Sequence, residues 1–311
     1  YPQWDEWYSA EGKGDFYFMH NILSEQSGVT EWQQGVTRNG WNKSFSLSAS
    51  GGNKKVQYYL SGSYRDDKGV LVDNEYNTFS FTSNLDINLT DRIKIGINLR
   101  PQYQKRRNSH ASMANTIKQI GFPIYHDAFS LQVGLGPTIG WKGIGDYTQA
   151  SDFKNMLATD ANGDLILNED GKPIYIKTEF NTAAISPLSE VLTDHDWTTF
   201  YKLTGNAYLS LDIAEGLTFK TSAGTYMRYS LRDRYQESYN VSKGNNNAGN
   251  GTGYQLNALR YSLVNENTLN YNKQFGRHDI DLLAGFSIEN YVDDFSRVEG
   301  NLFTNDFVRS M

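Results

Sequence analysis

The sequence predicts an all-β fold, an antiparallel transmembrane β-barrel segment of about eight strands arranged in hairpins. Three observations carry that expectation: apolar and polar residues alternate over long stretches, aromatics are abundant, and short turns alternate with long links. The 311 residues include 21 Tyr, 16 Phe and 6 Trp beside 28 Gly and 6 Pro. Mean hydropathy is -0.60, and no stretch approaches the roughly 20 consecutive apolar residues of a spanning helix. A polar mean suits a barrel, whose strands give only alternate residues to lipid.

The first hairpin sets Phe45, Leu47 and Ala49 against Ser44, Ser46, Ser48 and Ser50, turns at Gly51-Gly52-Asn53-Lys54, and returns through Val56, Tyr58, Leu60 and Tyr64. In the second, Phe79, Phe81, Leu85, Ile87 and Leu89 share a face; after Thr90-Asp91-Arg92, Ile93, Ile95, Ile97 and Leu99 resume it. The third rises through Tyr201, Leu203, Ala207, Leu209, Leu211 and Ile213, turns at Ala214-Glu215-Gly216, and returns through Leu217, Phe219, Ala223, Met227 and Leu231. The fourth runs through Tyr261, Leu263, Leu269 and Tyr271, turns near Phe275-Gly276-Arg277, and returns through Ile280, Leu282, Ala284, Phe286 and Ile288. Each strand is near the 9–11 residues that a tilted membrane strand needs.

The positions expected to face lipid are Phe79, Phe81, Leu85, Ile87, Ile93, Ile95, Ile97, Leu209, Leu211, Phe219, Leu282 and Phe286. Tyr58, Tyr64, Phe79, Phe81, Tyr201, Tyr229 and Tyr261 fall near strand ends, where barrels place interfacial girdles. Strand-rich stretches are expected at 41–103 and 200–291, with a long extracellular loop region over 104–199, all within one domain spanning 1–311. A second long link, Arg232 to Gly253, carries the Asn/Gly-rich run from Gly244. Short turns at one end and long loops at the other suit a membrane barrel better than a sandwich.

The hairpin blocks resemble the SusC/RagA-type TonB-dependent transporters of Bacteroidetes outer membranes. The resemblance lies in Thr30-Glu31-Trp32-Gln33, in the stretches Phe45–Leu71, Phe79–Leu99 and Leu203–Gly224, and in His278–Glu289. It implies import of oligosaccharides or peptides across the outer membrane, with a SusD-like surface lipoprotein over the extracellular loops. It also implies energy from TonB, acting on a plug domain. No plug-like segment is found in this sequence, and about eight strands fall short of the family's 22. The chain is therefore expected to be one portion of a larger protein. A small complete barrel with an adhesin or structural role and a soluble carbohydrate-binding sandwich are the alternatives.

Little in the sequence points to bond chemistry, and the expectation is a transporter rather than an enzyme, with no cofactor. There is no cysteine, which removes thiolate metal sites and cysteine nucleophiles. The net charge of -6 offers no footprint for nucleic acid. Five histidines (His20, His110, His126, His195 and His278) lack metal-ligand spacing. Asp194-His195-Asp196 reads as a solvated loop. Asp160, Asn162 and Asp164 resemble the start of a calcium loop, but Leu165 and Gly171 stand where the EF-hand pattern needs Gly and Glu. Asn162-Gly163 and Asp170-Gly171 instead read as turns flanking a short strand, Leu165–Leu167. Gly134-Leu135-Gly136 lacks the strand-to-helix context of a phosphate loop. Trp141, Tyr147 and Trp197, expected on the long loop, are the candidates for stacking on a ligand, set against simple packing of that loop on itself.

Overall fold

The computed structural model describes residues 32–110, 123–134, 142–148, 150–153, 155–160, 162, 164–177, 187–238, 240, 250–303 and 305–307. Its framework is a single eight-stranded antiparallel sheet in the order β1 (Trp41–Gly52), β2 (Val56–Lys68), β3 (Glu75–Asn88), β4 (Ile93–Arg107), β7 (Asp194–Ala214), β8 (Leu217–Gln236), β9 (Gly251–Phe275) and β10 (His278–Phe303). Every neighbour in the sheet is the next long strand in sequence, an up-and-down meander. A small hairpin, β5 (Asn155–Leu157) with β6 (Tyr175–Lys177), and the short helices α1 (Trp32–Val36), α2 (Ala128–Val133) and α3 (Pro187–Thr193) lie outside it.

Local chemistry fixes the short turns. Asn53 Oδ1 accepts hydrogen bonds from the Lys55 and Val56 amides at 2.8 and 3.0 Å, closing the first hairpin. Thr90 Oγ1 does the same for Arg92 and Ile93 in the second, at 3.2 and 3.1 Å. The third turn requires Gly216 at φ 77°, where an added Cβ would collide with the Asn272 carbonyl.

The register carries one face unbroken across the sheet. Phe45 opposes Tyr64, Tyr64 opposes Phe79, Phe79 opposes Tyr103, Tyr103 opposes Tyr201, and Tyr201 opposes Tyr229. This is a continuous aromatic row over six strands; its Tyr103–Tyr201 and Tyr201–Tyr229 ring centroids are 5.4 and 6.3 Å apart. On the turn side of the row the same face is apolar, for example Ile87, Ile95 and Leu209 in one rank. On the other side it turns charged within one rank, where Lys43 opposes Asp66 and Asn77 opposes Lys105. From Tyr103 down to Ile93 the strand rises about 33 Å, and a tilt near 40° reduces that to a band about 25 Å tall. All the positions from Phe79 to Phe286 expected to share the apolar face do share it.

Several strands run further than the alternation suggests. β4 continues to Arg107, β7 begins at Asp194 and β10 reaches Phe303, beyond the strand-rich limits of 103, 200 and 291. Beyond the aromatic row polar residues on both faces mix with scattered apolar ones such as Trp197, Phe295 and Val298, so the backbone ladder continues while its period-two signal ends. Asp194-His195-Asp196 is accordingly no solvated loop. Both aspartates are buried within β7 and face arginines on β8. Leu165–Leu167 forms isolated bridges rather than the expected strand, Leu165 to Thr159 and Leu167 to Pro173; on the turn side Asp160 Oδ1 accepts from the Asn162 and Asp164 amides, both at 2.9 Å, and Gly163 lies outside the described residues.

Candidate ligand-binding face

The face opposite the aromatic row is polar, and its geometry divides into three zones. Furthest from the short turns lies a rim of paired charges. Asp196, with its side chain fully buried, accepts from Arg232 Nε and Nη2 at 2.9 and 2.5 Å and contacts His110 Nε2 at 2.7 Å. One rank higher, Asp194 takes Arg234 in the same two-pronged way, at 2.9 and 2.5 Å, and Gln236 Nε2 at 2.9 Å. Forked guanidinium–carboxylate pairing supplies direction as well as charge, which holds the upper ends of β7 and β8 in register. His195 and Glu237, at 2.8 Å, add a pair on the other face.

The second zone is the excursion between β4 and β7. His126 Nε2 lies 3.0 Å from Asp152 Oδ2, His126 Nδ1 lies 3.1 Å from Ser130 Oγ, and Lys142 Nζ reaches Asp152 Oδ2 at 2.5 Å and the Tyr147 carbonyl at 2.8 Å. The row of Ser, His and Asp superficially resembles a nucleophile relay. All three are buried, however, and Ser130 is engaged in the capping box of α2 with Asp127. The cluster therefore ties α2 to the 3-10 turn at Ala150–Phe153. Burial holds the Lys142 ammonium below its usual range, with the Asp152 carboxylate opposing that shift. Burial, with the neighbouring Tyr125, raises the Tyr147 hydroxyl well above the ordinary phenol range. In the link between β2 and β3, Asp73 sits at φ 65° beside Arg107, 2.6 Å away; its pKa is raised by burial, and the guanidinium opposes this.

The third zone is the middle of the polar face, which sequence reasoning missed. Phe200, 6 % exposed, is flanked by Arg228, Lys202 and Arg106 at 4.6, 5.4 and 5.9 Å from its ring centroid. Nearer the short turns, Tyr208 reaches across Gly96 on β4 to donate to Asp86 Oδ1 on β3 at 2.8 Å. The alternation of β7 and β8 placed these residues on the polar side, but nothing in a linear pattern shows which of them converge.

The aromatics singled out for ligand contact lie apart. Tyr147 is on the excursion, half-buried, its ring 5.0 Å from that of Tyr125. Trp197 is not on the loop. It stands in β7 on the face of the aromatic row, beyond that row, with Lys105 and Arg107 at 4.6 and 5.2 Å from its ring. Trp141 lies outside the described residues.

This sheet, with one banded apolar face and one polar face, has counterparts among known proteins. No family model matches the chain. It is 25 % identical over 285 residues to the TonB-dependent receptor P39 of Formosa agariphila, covering 91 % of this chain and 23 % of that protein. To the TonB-dependent receptor P3 of the same organism it is 26 % identical over 261 residues, covering 84 % and 22 %. The chain is similar to TonB-dependent receptors. In structure it matches the RagAB peptide transporter with a TM-score of 0.62 at 16 % identity, over 89 % of this chain and 27 % of that one. It matches the RagAB peptide importer in its open-open state with a TM-score of 0.58 at 17 % identity, over 91 % and 28 %. The antiparallel barrel-segment fold and the SusC/RagA resemblance of the hairpins therefore stand. The chain spans about a quarter of the length of these relatives. Their names are those of receptors and transporters, not of enzymes.

Proposed function

We propose that this chain is part of an outer-membrane TonB-dependent transporter that imports oligosaccharides or peptides together with a SusD-like surface lipoprotein. The observation that supports this most is the aromatic row with an apolar band of about 25 Å on one side and charge on the other, the profile of a lipid-facing barrel wall. Phe79, Phe81, Leu85, Ile87, Ile93, Ile95, Ile97, Leu209, Leu211, Phe219, Leu282 and Phe286 face lipid. The short turns lie on the periplasmic side, and the long links face outward, where the lipoprotein and ligand arrive. TonB acts through a plug domain. Trp141 and Tyr147, on the long excursion, are the ligand-contact aromatics. Trp197, on the outward face beyond the band, suits an anchor at the membrane surface. The protein performs transport without bond chemistry and needs no cofactor.

This chain has no cysteine, so with any cysteine elsewhere in the whole transporter replaced, single substitutions from Leu209→Cys to Asp212→Cys can be spin-labelled in outer-membrane vesicles. Labels at 209 and 211 are expected to be relaxed by oxygen, and those at 210 and 212 by a water-soluble nickel chelate. Loss of that alternation would sink the lipid-facing assignment. Deletion of TonB is expected to abolish uptake of the imported ligand; uptake that persists would sink the transporter reading.

A further inference from the structure

Most cations on the polar face are matched by acids. Arg232 and Arg234 take Asp196 and Asp194, Arg260 takes Asp293, and Arg297 takes Glu299. The middle band departs from this. The register places inward residues 76–84 of β3, 98–106 of β4, 198–206 of β7 and 224–232 of β8 side by side, with Arg232 at the upper edge taken by Asp196. Among the rest of these described residues stand Arg100, Arg106, Lys202 and Arg228, and no carboxylate at all. Three of the four converge on one ring, Phe200, and Lys202 and Arg228 are direct cross-strand partners. Like charges placed directly opposite destabilise a sheet, and acids are used freely a few ranks away. The acids bordering the band are engaged elsewhere: Asp67 by Arg65, Asp86 by Tyr208, Asp196 by Arg232 and Asp293 by Arg260.

We infer that this band, Arg106, Lys202 and Arg228 around Phe200 with Arg100 beside them, is a binding site for the negatively charged groups of an acidic oligosaccharide. The inference rests on the transporter reading and names the substrate class for its lumen. The ring offers the cations a quadrupole that holds them in place without neutralising them, so their charge stays available to a passing anion. The rest of the band favours a saccharide over an acidic peptide. Its inward side chains are threonine, serine, asparagine and glutamine, with Tyr76 and Tyr226 as rings and no aliphatic side chain. Peptide recognition by strand addition uses an open strand edge and apolar pockets for alternate side chains. This band lies inside a paired sheet and offers hydroxyls, amides and rings, which match sugar hydroxyls and ring faces. Sulfate and uronate carboxylate share the chemistry that these cations recognise.

The test uses the whole transporter in detergent. Probes are sulfated dextran oligosaccharides, alginate oligosaccharides carrying carboxylates, neutral dextran of equal length, and polyglutamate. At least one of the two acidic saccharides is expected to bind tighter than neutral dextran, with affinity falling as salt rises; which of the two does so identifies the anion. Arg228→Gln and Lys202→Gln should each weaken that binding about tenfold, the scale of one charge-assisted hydrogen bond. Arg228→Lys should restore part of it, and Lys54→Gln, in a short turn, should leave it unchanged. Heat-modifiable migration on gels confirms that each variant is folded. The inference is overturned by absence of salt-sensitive binding to both acidic saccharides, by affinities that the two Gln variants leave unaltered, or by polyglutamate binding as tightly as the saccharides. TonB-dependent uptake that ignores saccharide charge would overturn this inference alone, whereas uptake without TonB would overturn the reading beneath it.

Discussion

Replacing Gly96 with alanine introduces one methyl group where the sheet has no room for it. An ideal Cβ at Gly96 would fall 2.5 Å from Tyr208 Cζ and 2.7 Å from Asp86 Oδ1. Gly96 is the cross-strand partner of both residues, and Tyr208 uses the gap to lie across β4. Alanine therefore displaces the ring. The displaced ring loses its hydrogen bond to the Asp86 carboxylate, which at an exposed site is near the low end for a charged acceptor, about 1.5 kcal/mol. It also loses the contact with Lys220 Nζ, 4.7 Å from its centroid, worth about 0.5 kcal/mol on an exposed face. Against this, alanine recovers about 0.5 kcal/mol of the backbone entropy that glycine forfeits. The net expectation is a destabilisation of about 1.5 kcal/mol, measured by urea unfolding in detergent micelles. A double-mutant cycle with Tyr208→Ala isolates the cause. Without the ring, Gly96→Ala becomes neutral or mildly stabilising, and the coupling is about 2 kcal/mol. A coupling below about 0.5 kcal/mol, within the additivity of independent sites, would refute the claim that Gly96 exists to seat Tyr208.

Two further perturbations probe the regions beyond the apolar band. Asp196→Asn removes the charge that Arg232 and His110 share; it should loosen the upper ends of β7 and β8 by about 2 kcal/mol. Hydrogen exchange there should quicken about 30-fold while amides 205–213 stay protected; uniform acceleration would contradict a local role. Lys142 titrates between its lowered folded pKa and the usual lysine value of 10.5. In that window the unfolded excursion holds the proton more tightly than the folded one, so the stability of the excursion rises with pH. Its facing groups are Asp152, Asp146 and, through Asp152, His126. Exchange protection of residues 150–157, corrected for intrinsic rates, should grow from pH 8 to 10 and lose that slope in Lys142→Met. A slope of the opposite sign would show that the ion pair with Asp152 outweighs burial.

Within the apolar band the sheet was legible strand by strand. A residue's side of the sheet follows from counting by two, and lipid on one face forces the count to show itself as Leu, Ile and Phe against Ser, Asn and Lys. The short turns were legible too, because Asn53, Thr90 and Gly216 carry their own turn chemistry. The excursion and the upper strand ends were not. Asp194 and Asp196 look solvated in sequence because their arginines are about 40 residues away, and a polar strand with polar faces has no period to detect. Trp197 read as a loop residue for the same reason.

By itself, the sequence determined that this protein is a series of amphipathic strands in hairpins and which residues share each face, since periodicity and turn chemistry are local properties of the chain. Only the tertiary structure decided the order of neighbours and the rank of each pair. Those ranks aligned Phe45, Tyr64, Phe79, Tyr103, Tyr201 and Tyr229 into one row. They also gathered Arg106, Lys202 and Arg228 around Phe200. The physical reason is that a cross-strand register joins residues as much as a hundred positions apart, and strand periodicity carries no information about which ranks will meet.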